Sequence, residues 1–288
     1  MSILKLDYIK ADPSGNTTVF ILSPVPRRLY GNIAGVVMSS SYLAAEQISY
    51  VEEAPGSPGG LRMEMMGGEF CGNASRSFAA LLALYDRHTG CFRNFAPLEM
   101  SIDIDVSGIN GILQVGLCRG ASPYTCTASL SMPLPQSLTA GNSSELGDYS
   151  IATFPGINHV ILWERKPNRD YVEKARRFIL ESGLSADAFG VMFYETAENR
   201  MTPAVYVADT DSLVWESSCG SGSAAVAAAM AYREGRSVDM LLDQPGGNLS
   251  VRAEFTSGKV CRIILSGKIR FTSWGSLFID DSIIYHTR

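Results

Sequence analysis

No stretch of the chain approaches the ~20 consecutive apolar residues needed to cross a bilayer. The most apolar helix candidate, around 223–232, is short and rich in alanine. The start, MSILKLDYIKADPSGN, lacks a positively charged segment leading into a long apolar one, so no secretory signal is expected and a cytoplasmic location is. Charge is sparse at 18%, and 24 Lys+Arg against 29 Asp+Glu give a formal −5 without runs of one sign. That balance argues against a nucleic-acid or anionic-membrane partner. None of the six cysteines forms a C-x-x-C pair, and a chain of this size without a signal is expected to keep them as free thiols. The three histidines, His88, His159 and His286, lie far apart, so no local metal site is indicated.

What is present is a large apolar fraction, 46% of 288 residues, enough for two ordinary domains. Short β-like runs dominate: TTVFIL (17–22), ISYVEE (48–53), LRMEMM (61–66), LEMSIDIDV (98–106) and GILQVGL (111–117) in the first half. HVILWE (159–164), GVMFYE (190–195), AVYVAD (204–209), LVWE, VDMLLD, LSVRAEF, CRIILSG and SLFID follow in the second. Alternation of Met100, Ile102, Ile104 and Val106 with polar residues marks a half-buried strand and puts Asp103 and Asp105 toward solvent. Helices are expected over 29–47, 72–87 and 168–183, and from Cys219 onward. The Pro-, Gly- and Ser-rich stretch 133–147 reads as a linker. The expected domains are therefore 1–133 and 134–274.

The two halves share one local pattern. MGGEFCGNASRSFAALLA and LVWESSCGSGSAAVAAAMA each carry a cysteine that ends a strand-like run, precedes glycine and opens a helix. Cys71 and Cys219 lie 219 − 71 = 148 positions apart, one per half. A helix N-terminus draws a cysteine pKa down from about 8.5 toward the neutral range. The first amides, at Gly72–Asn73 and Gly220–Ser221, can also hold a carboxylate. Two such thiols flanking one substrate could invert an α-carbon, one as thiolate base and the other as thiol acid, with no cofactor. Arg76 reads as an internal ion partner of its helix. Glu216 could raise or orient the Cys219 thiol, or cap the helix.

CGNAS and SCGSG, with DPSGNTTVF near the start and FPGINHV in the second half, resemble the motifs of the diaminopimelate-epimerase superfamily over nearly the whole chain. The resemblance implies an α/β (α+β) fold of two pseudo-symmetric domains, each a barrel-like curled sheet around a central helix, with the site in the cleft. It also implies that a C-terminal strand, 275–288, returns to the first domain, and that the protein is a homodimer. Asn16 and His159 become substrate contacts by the same resemblance. Diaminopimelate epimerases carry a Glu-Arg pair where this chain has Val207 and Ala208, and asparagines near Met65–Met66 and Gly190. A second zwitterionic head group would find its charges unpartnered here.

The closer resemblance is to the histidine racemases of staphylopine-type metallophore pathways, carried by DPSGN, AAEQISYVE, GGEFCGNAS, SLVWESSCGSGS and DQPGG. It assigns substrate binding to Glu46, with Gln47 beside it, and makes L-histidine the first expected substrate. Diaminopimelate and proline or hydroxyproline are the alternatives. Two rival readings come from the residues. Gly220-Ser-Gly222-Ser-Ala-Ala225 with Asp243 fits a dinucleotide-binding fingerprint, although it leaves Cys71 unexplained. A non-catalytic amino-acid-binding protein would have no need of both cysteines.

Overall fold

The computed structural model describes residues 3–93, 97–184, 188–207, 212–280 and 282. Of the expected elements, residues 208–209 of the strand at 204–209 and residues 281 and 283–288 of the returning strand lie outside them. The chain divides into two compact units, Met1–Leu130 with Gly267–Arg288, and Ser131–Ser266. The turn-rich sequence at 133–147 predicts a boundary at 133/134, and the resemblance implies a return at 275.

In the first unit the strands are β1 (Ile3–Asp12), β2 (Thr18–Ile21), β3 (Gln47–Glu53), β4 (Leu61–Met65), a small hairpin of β5 (Tyr85–Asp86) and β6 (Cys91–Phe92), β7 (Glu99–Val106), β8 (Leu113–Arg119) and β9 (Thr125–Met132). Helix α1 (Tyr30–Val37) joins β2 to β3, and α2 (Gly72–Leu84) follows β4. In the second unit come β10 (Ser137–Ser143), β11 (Gly147–Phe154), β12 (Ile157–Trp163), α3 (Arg169–Glu181), β13 (Ala188–Glu195), β14 (Arg200–Val207), β15 (Ser212–Trp215), α4 (Gly220–Glu234), β16 (Val238–Gln244) and β17 (Gly247–Thr256). The long strand β18 (Lys259–Asp280) begins in the second unit and ends in the first.

The sheet of the first unit closes on itself in the order β1-β2-β3-β4-β7-β8-β9-β18, with β18 returning to β1. The second unit repeats the succession as β10-β11-β12-β13-β14-β16-β17-β18. The repeat extends to direction. β2/β3 and β12/β13 are parallel, each joined by a crossover helix, and β4/β7 and β14/β16 are parallel across α2 and α4.

The helices divide into two kinds, for a reason visible in their composition. In α3 only Val172, Ala175 and Ile179 are buried, the one-sided stripe of a helix lying on a sheet. In α2 every residue from Gly72 to Leu81 is buried, and α4 is buried on nearly all sides. A helix enclosed all round must be small and satisfied, and α4 is: alanine, glycine and serine let the surrounding strands approach closely. The α2 residue Phe78 is fully buried and stacks on Phe20 of β2 at 6.2 Å between centroids.

Three expectations need correction. The helix expected over 29–47 stops at Val37 because the serine run that follows competes for its last carbonyls: Ser39 Oγ donates to Val36 O at 2.7 Å. Residues 133–147 are no open linker, since β10 pairs with β11 from Ser137↔Thr153 to Ser143↔Gly147. A strand of serine, glycine and asparagine at a sheet edge carries no alternation to read. CRIILSG and SLFID are parts of one strand, β18.

Candidate active site

Each unit places one cysteine at the mouth of its enclosed helix in the same conformation. Cys71 is the N-cap of α2, with φ −126° and ψ 113°, and its sulfur accepts the Ala74 N–H at 3.4 Å. Cys219 is the N-cap of α4, with φ −119° and ψ 112°, and its sulfur accepts the Gly222 N–H at 3.4 Å. Each sulfur thus takes the place of the oxygen that Ser or Asp ordinarily supplies at an N-cap. Both thiols lie where the first backbone N–H groups favour negative charge. Of the other cysteines, Cys91, Cys118 and Cys261 are exposed, and Cys126 is buried with its thiol pushed up to about 12 by desolvation.

Around Cys71 the first unit gathers most of the residues expected of it. The DPSGN loop turns through Ser14 and Gly15, both at positive φ, with the Gly15 N–H donating to Asp12 Oδ1 at 2.7 Å. This turn buries Asn16. The early end of α1 leaves a connector through Ala44, at φ 46°, that delivers Glu46 and Gln47 to the same place. Both of their backbone N–H groups donate to Thr17 O at 3.0 Å. Cys71 Sγ then donates to Gln47 Oε1 at 3.1 Å, and Asn16 Nδ2 donates to Glu46 Oε2 at 3.1 Å. Asn73, in the first turn of α2, closes the set by donating to Asn16 Oδ1 at 3.5 Å. Gly72 is buried at the first helical position.

Around Cys219 the electrostatics differ from the sequence expectation. Burial pushes this thiol well above its usual range, and the carboxylate of Glu216, to which it donates a hydrogen bond, pushes it further. The Ser221 hydroxyl, 3.5 Å away, and the Gly222 amide act in the opposite direction and are outweighed. Glu216 therefore bears on the thiol, and Cys219 itself occupies the capping position.

Gly220 is buried at the first turn of α4, and Gly222 has a packing role: a Cβ there would stand 2.2 Å from Met192 Sδ and 3.2 Å from Cys219 Sγ. A Cβ on Gly190 would stand 2.4 Å from His159 Nδ1 and 2.7 Å from Met192 Cε. Met192 thus spans the space between His159 and the Cys219 thiol. The glycine pattern that fits a dinucleotide fingerprint is spent on this packing. Moreover, β15, the strand before α4, pairs antiparallel with β14, outside any βαβ unit.

His159 is fully buried, and desolvation brings it down to about 3, so its imidazole is neutral. Neither ring nitrogen has a hydrogen-bond partner among the described residues. Asn158 beside it faces the other way and donates to Leu184 O at 3.0 Å. No group of three metal-ligating side chains occurs among the described residues.

One residue of this site escaped the sequence reading. Gln244, at the end of β16 in the DQPGG segment, is buried. Its Oε1 accepts the Cys219 N–H at 2.8 Å, and its Nε2 donates to Ser223 Oγ at 3.0 Å, which in turn donates to Cys219 O at 2.7 Å. Gln244 thereby holds the capping residue from both sides. Gln244→Ala leaves a buried N–H and a hydroxyl without this partner. It should cost about 1–3 kcal/mol, read as a lower midpoint in denaturant unfolding, with loss of activity in the fraction that stays folded.

Over residues 5–278 the chain matches the family described as the histidine racemase CntK N-terminal domain. It is 32% identical over 227 residues to the histidine racemase of Fusobacterium nucleatum subsp. nucleatum, covering 77% of this chain and 79% of that protein. It is 24% identical over 285 residues to the histidine racemase of Staphylococcus aureus, covering 96% and 98%. Among solved structures, a probable proline racemase from Agrobacterium radiobacter K84 superposes with a TM-score of 0.62 at 11% identity over 97% of this chain and 95% of that one. A hydroxyproline epimerase from Agrobacterium vitis gives 0.61 at 12% identity over 96% and 93%. The solved structures share the fold of paired curled sheets, and the sequence matches go further: the chain belongs to the histidine racemase family, and with it to the amino-acid racemases.

Proposed function

We propose that the protein interconverts the enantiomers of free histidine without a cofactor, Cys71 and Cys219 acting on opposite faces of the α-carbon. The observation that carries this reading is the pair of N-cap cysteines, one per unit, with matching backbone angles and the same sulfur-to-amide hydrogen bond. The proton balance is simple. A thiolate on one side takes the α-proton, and the thiol on the other delivers its own proton to the opposite face. The pair exchanges roles with each inversion, and the reverse reaction restores it.

The electrostatics support a division of labour between the two. Burial and Glu216 favour the protonated form of Cys219, which makes it the acid of the resting pair. Cys71, half-buried and donating its proton to Gln47 Oε1 in this structure, then acts as the base once it has released that proton. The first amides of α2 and α4, at Gly72–Asn73 and Gly220–Ser221, suit a substrate carboxylate and the enolate-like charge that develops beside it. Glu46, held by Asn16, suits the ammonium or imidazole of the substrate, and neutral His159 serves as a hydrogen-bonding wall.

The test is incubation with L-histidine and a panel of other L-amino acids in D₂O, with no cofactor added, reading mass and chirality together. Deuterium gain with the D-enantiomer from histidine supports both reaction and substrate. The same result from another amino acid alone discards histidine and keeps the mechanism. Silence across the panel overturns the reading.

A further inference from the structure

Arg76 is the largest fully buried side chain among the described residues, and no described carboxylate pairs with it. Among the described residues the ion partnership expected from the sequence is not made, because the guanidinium faces backbone carbonyls and an amide. Nη1 donates to Gly267 O of β18 at 2.9 Å and to Ala128 O of β9 at 3.4 Å, and Nη2 donates to Asn73 Oδ1 at 2.8 Å. A buried cation without an anionic partner is costly, and proteins keep one where its charge or geometry is used.

The hydrogen bonds show the geometric use. A guanidinium can only donate. It therefore forces the oxygen of Asn73 toward itself and the nitrogen of Asn73 toward Asn16. Asn73 Nδ2 meets Asn16 Oδ1, which turns the Asn16 nitrogen to Glu46 Oε2. Arg76 at one end and a carboxylate at the other thus fix the direction of both amides.

We propose that Arg76 is the positioning residue of the Cys71 half-site: it locks the Asn73–Asn16–Glu46 chain in one direction and places a buried positive charge on the helix that Cys71 caps. The proposal rests on the reading of Cys71 as an acid–base group. Interaction with Cys71, and less with Cys126, partly offsets the desolvation that brings Arg76 down to about 10. Of the described ionisable groups beside this chain of contacts, Glu46 lies at its far end, and Lys10 Nζ donates to Leu43 O and Ala44 O on the connector that leads to Glu46. The Glu46 carboxylate disfavours a thiolate, whereas Arg76, bonded to Asn73 in the first turn of the same helix, has the sign that favours one.

The test uses the intact protein with Arg76→Gln, Arg76→Lys, Glu46→Gln and the Glu46→Gln/Arg76→Lys double variant. Alkylation of Cys71 by iodoacetamide is followed against pH by peptide mass, beside kcat and KM for racemisation and a thermal melt. In R76Q, Cys71 alkylation should slow about tenfold at neutral pH, its profile displaced upward. R76K keeps the charge, so alkylation should stay within about twofold. A single ammonium cannot hold all three acceptors in a planar fork, so KM should still rise about tenfold. In the double variant KM should be no worse than in E46Q, because both changes break one chain.

Unchanged alkylation in R76Q together with unchanged KM in R76K would overturn the proposal. If R76Q does not fold, the KM of R76K decides alone, and an unchanged value overturns it. The alkylation profile does not depend on turnover, so it separates failure of this proposal from failure of the two-thiol reading, which full racemisation by Cys71→Ser would reveal.

Discussion

Cys71→Ser and Cys219→Ser should each lower racemisation by about three orders of magnitude while barely moving the melting temperature. The fold should survive because each cysteine is an N-cap, and serine is among the best residues at that position. The serine oxygen can take over the hydrogen bond from Ala74 or Gly222. The chemistry should not survive, because a hydroxyl is a far weaker acid than a thiol and gives almost no base at neutral pH.

Under the proposed two-thiol mechanism, each variant should still exchange the α-proton on one face. The thiol left in each variant can still remove and return a proton on its own face. Cys219→Ser should therefore wash deuterium into one enantiomer of histidine with retention, and Cys71→Ser into the other. Chiral separation with mass detection of the recovered histidine checks this. Full racemisation by either variant would sink the mechanism.

Glu216→Gln should move the alkaline limb of the kcat/KM profile to lower pH. Cys219 is held protonated first by burial and then by the Glu216 carboxylate. Glutamine keeps an oxygen that can accept the thiol hydrogen bond and removes the negative charge. With one of the two upward pushes gone, Cys219 loses its proton at a lower pH, and the acid of the resting pair disappears sooner. On the alkaline side activity should fall roughly tenfold against the parent, with little change on the acid side, where the thiol is protonated in both. A profile measured between pH 6 and pH 10 (roughly the span of ordinary thiol titration) decides it. An alkaline limb that stays put would mean that Glu216 does not tune the thiol.

The paired cysteines were legible because the signal is local. A strand-like run, a cysteine, a glycine and a small-residue helix occupy about a dozen consecutive positions, and the same order occurs twice. The enclosed helices could likewise be located, since the run AAVAAA at 224–229 and the apolar face through Phe78 and Leu81 leave little room for another reading. The extent of α1 was not legible. Its apolar residues continue past Val37, and only the Ser39 hydroxyl bond and the turn through Ala44 end it. That ending is what carries Glu46 and Gln47 to Asn16 and Cys71. Gln244 was equally invisible, 25 residues beyond the cysteine it holds.

The sequence by itself determined the two thiols, their helix-start context and the repeated α/β plan, because each depends on residues close in the chain. Tertiary structure alone decided that Cys219 is held as a thiol against the pull of its helix. Desolvation and a neighbouring carboxylate are properties of what packs around a group, and they can outweigh the field of a helix end. It also decided what Arg76 does, since a cation's role is set by the acceptors it meets, and two of those lie on strands far along the chain.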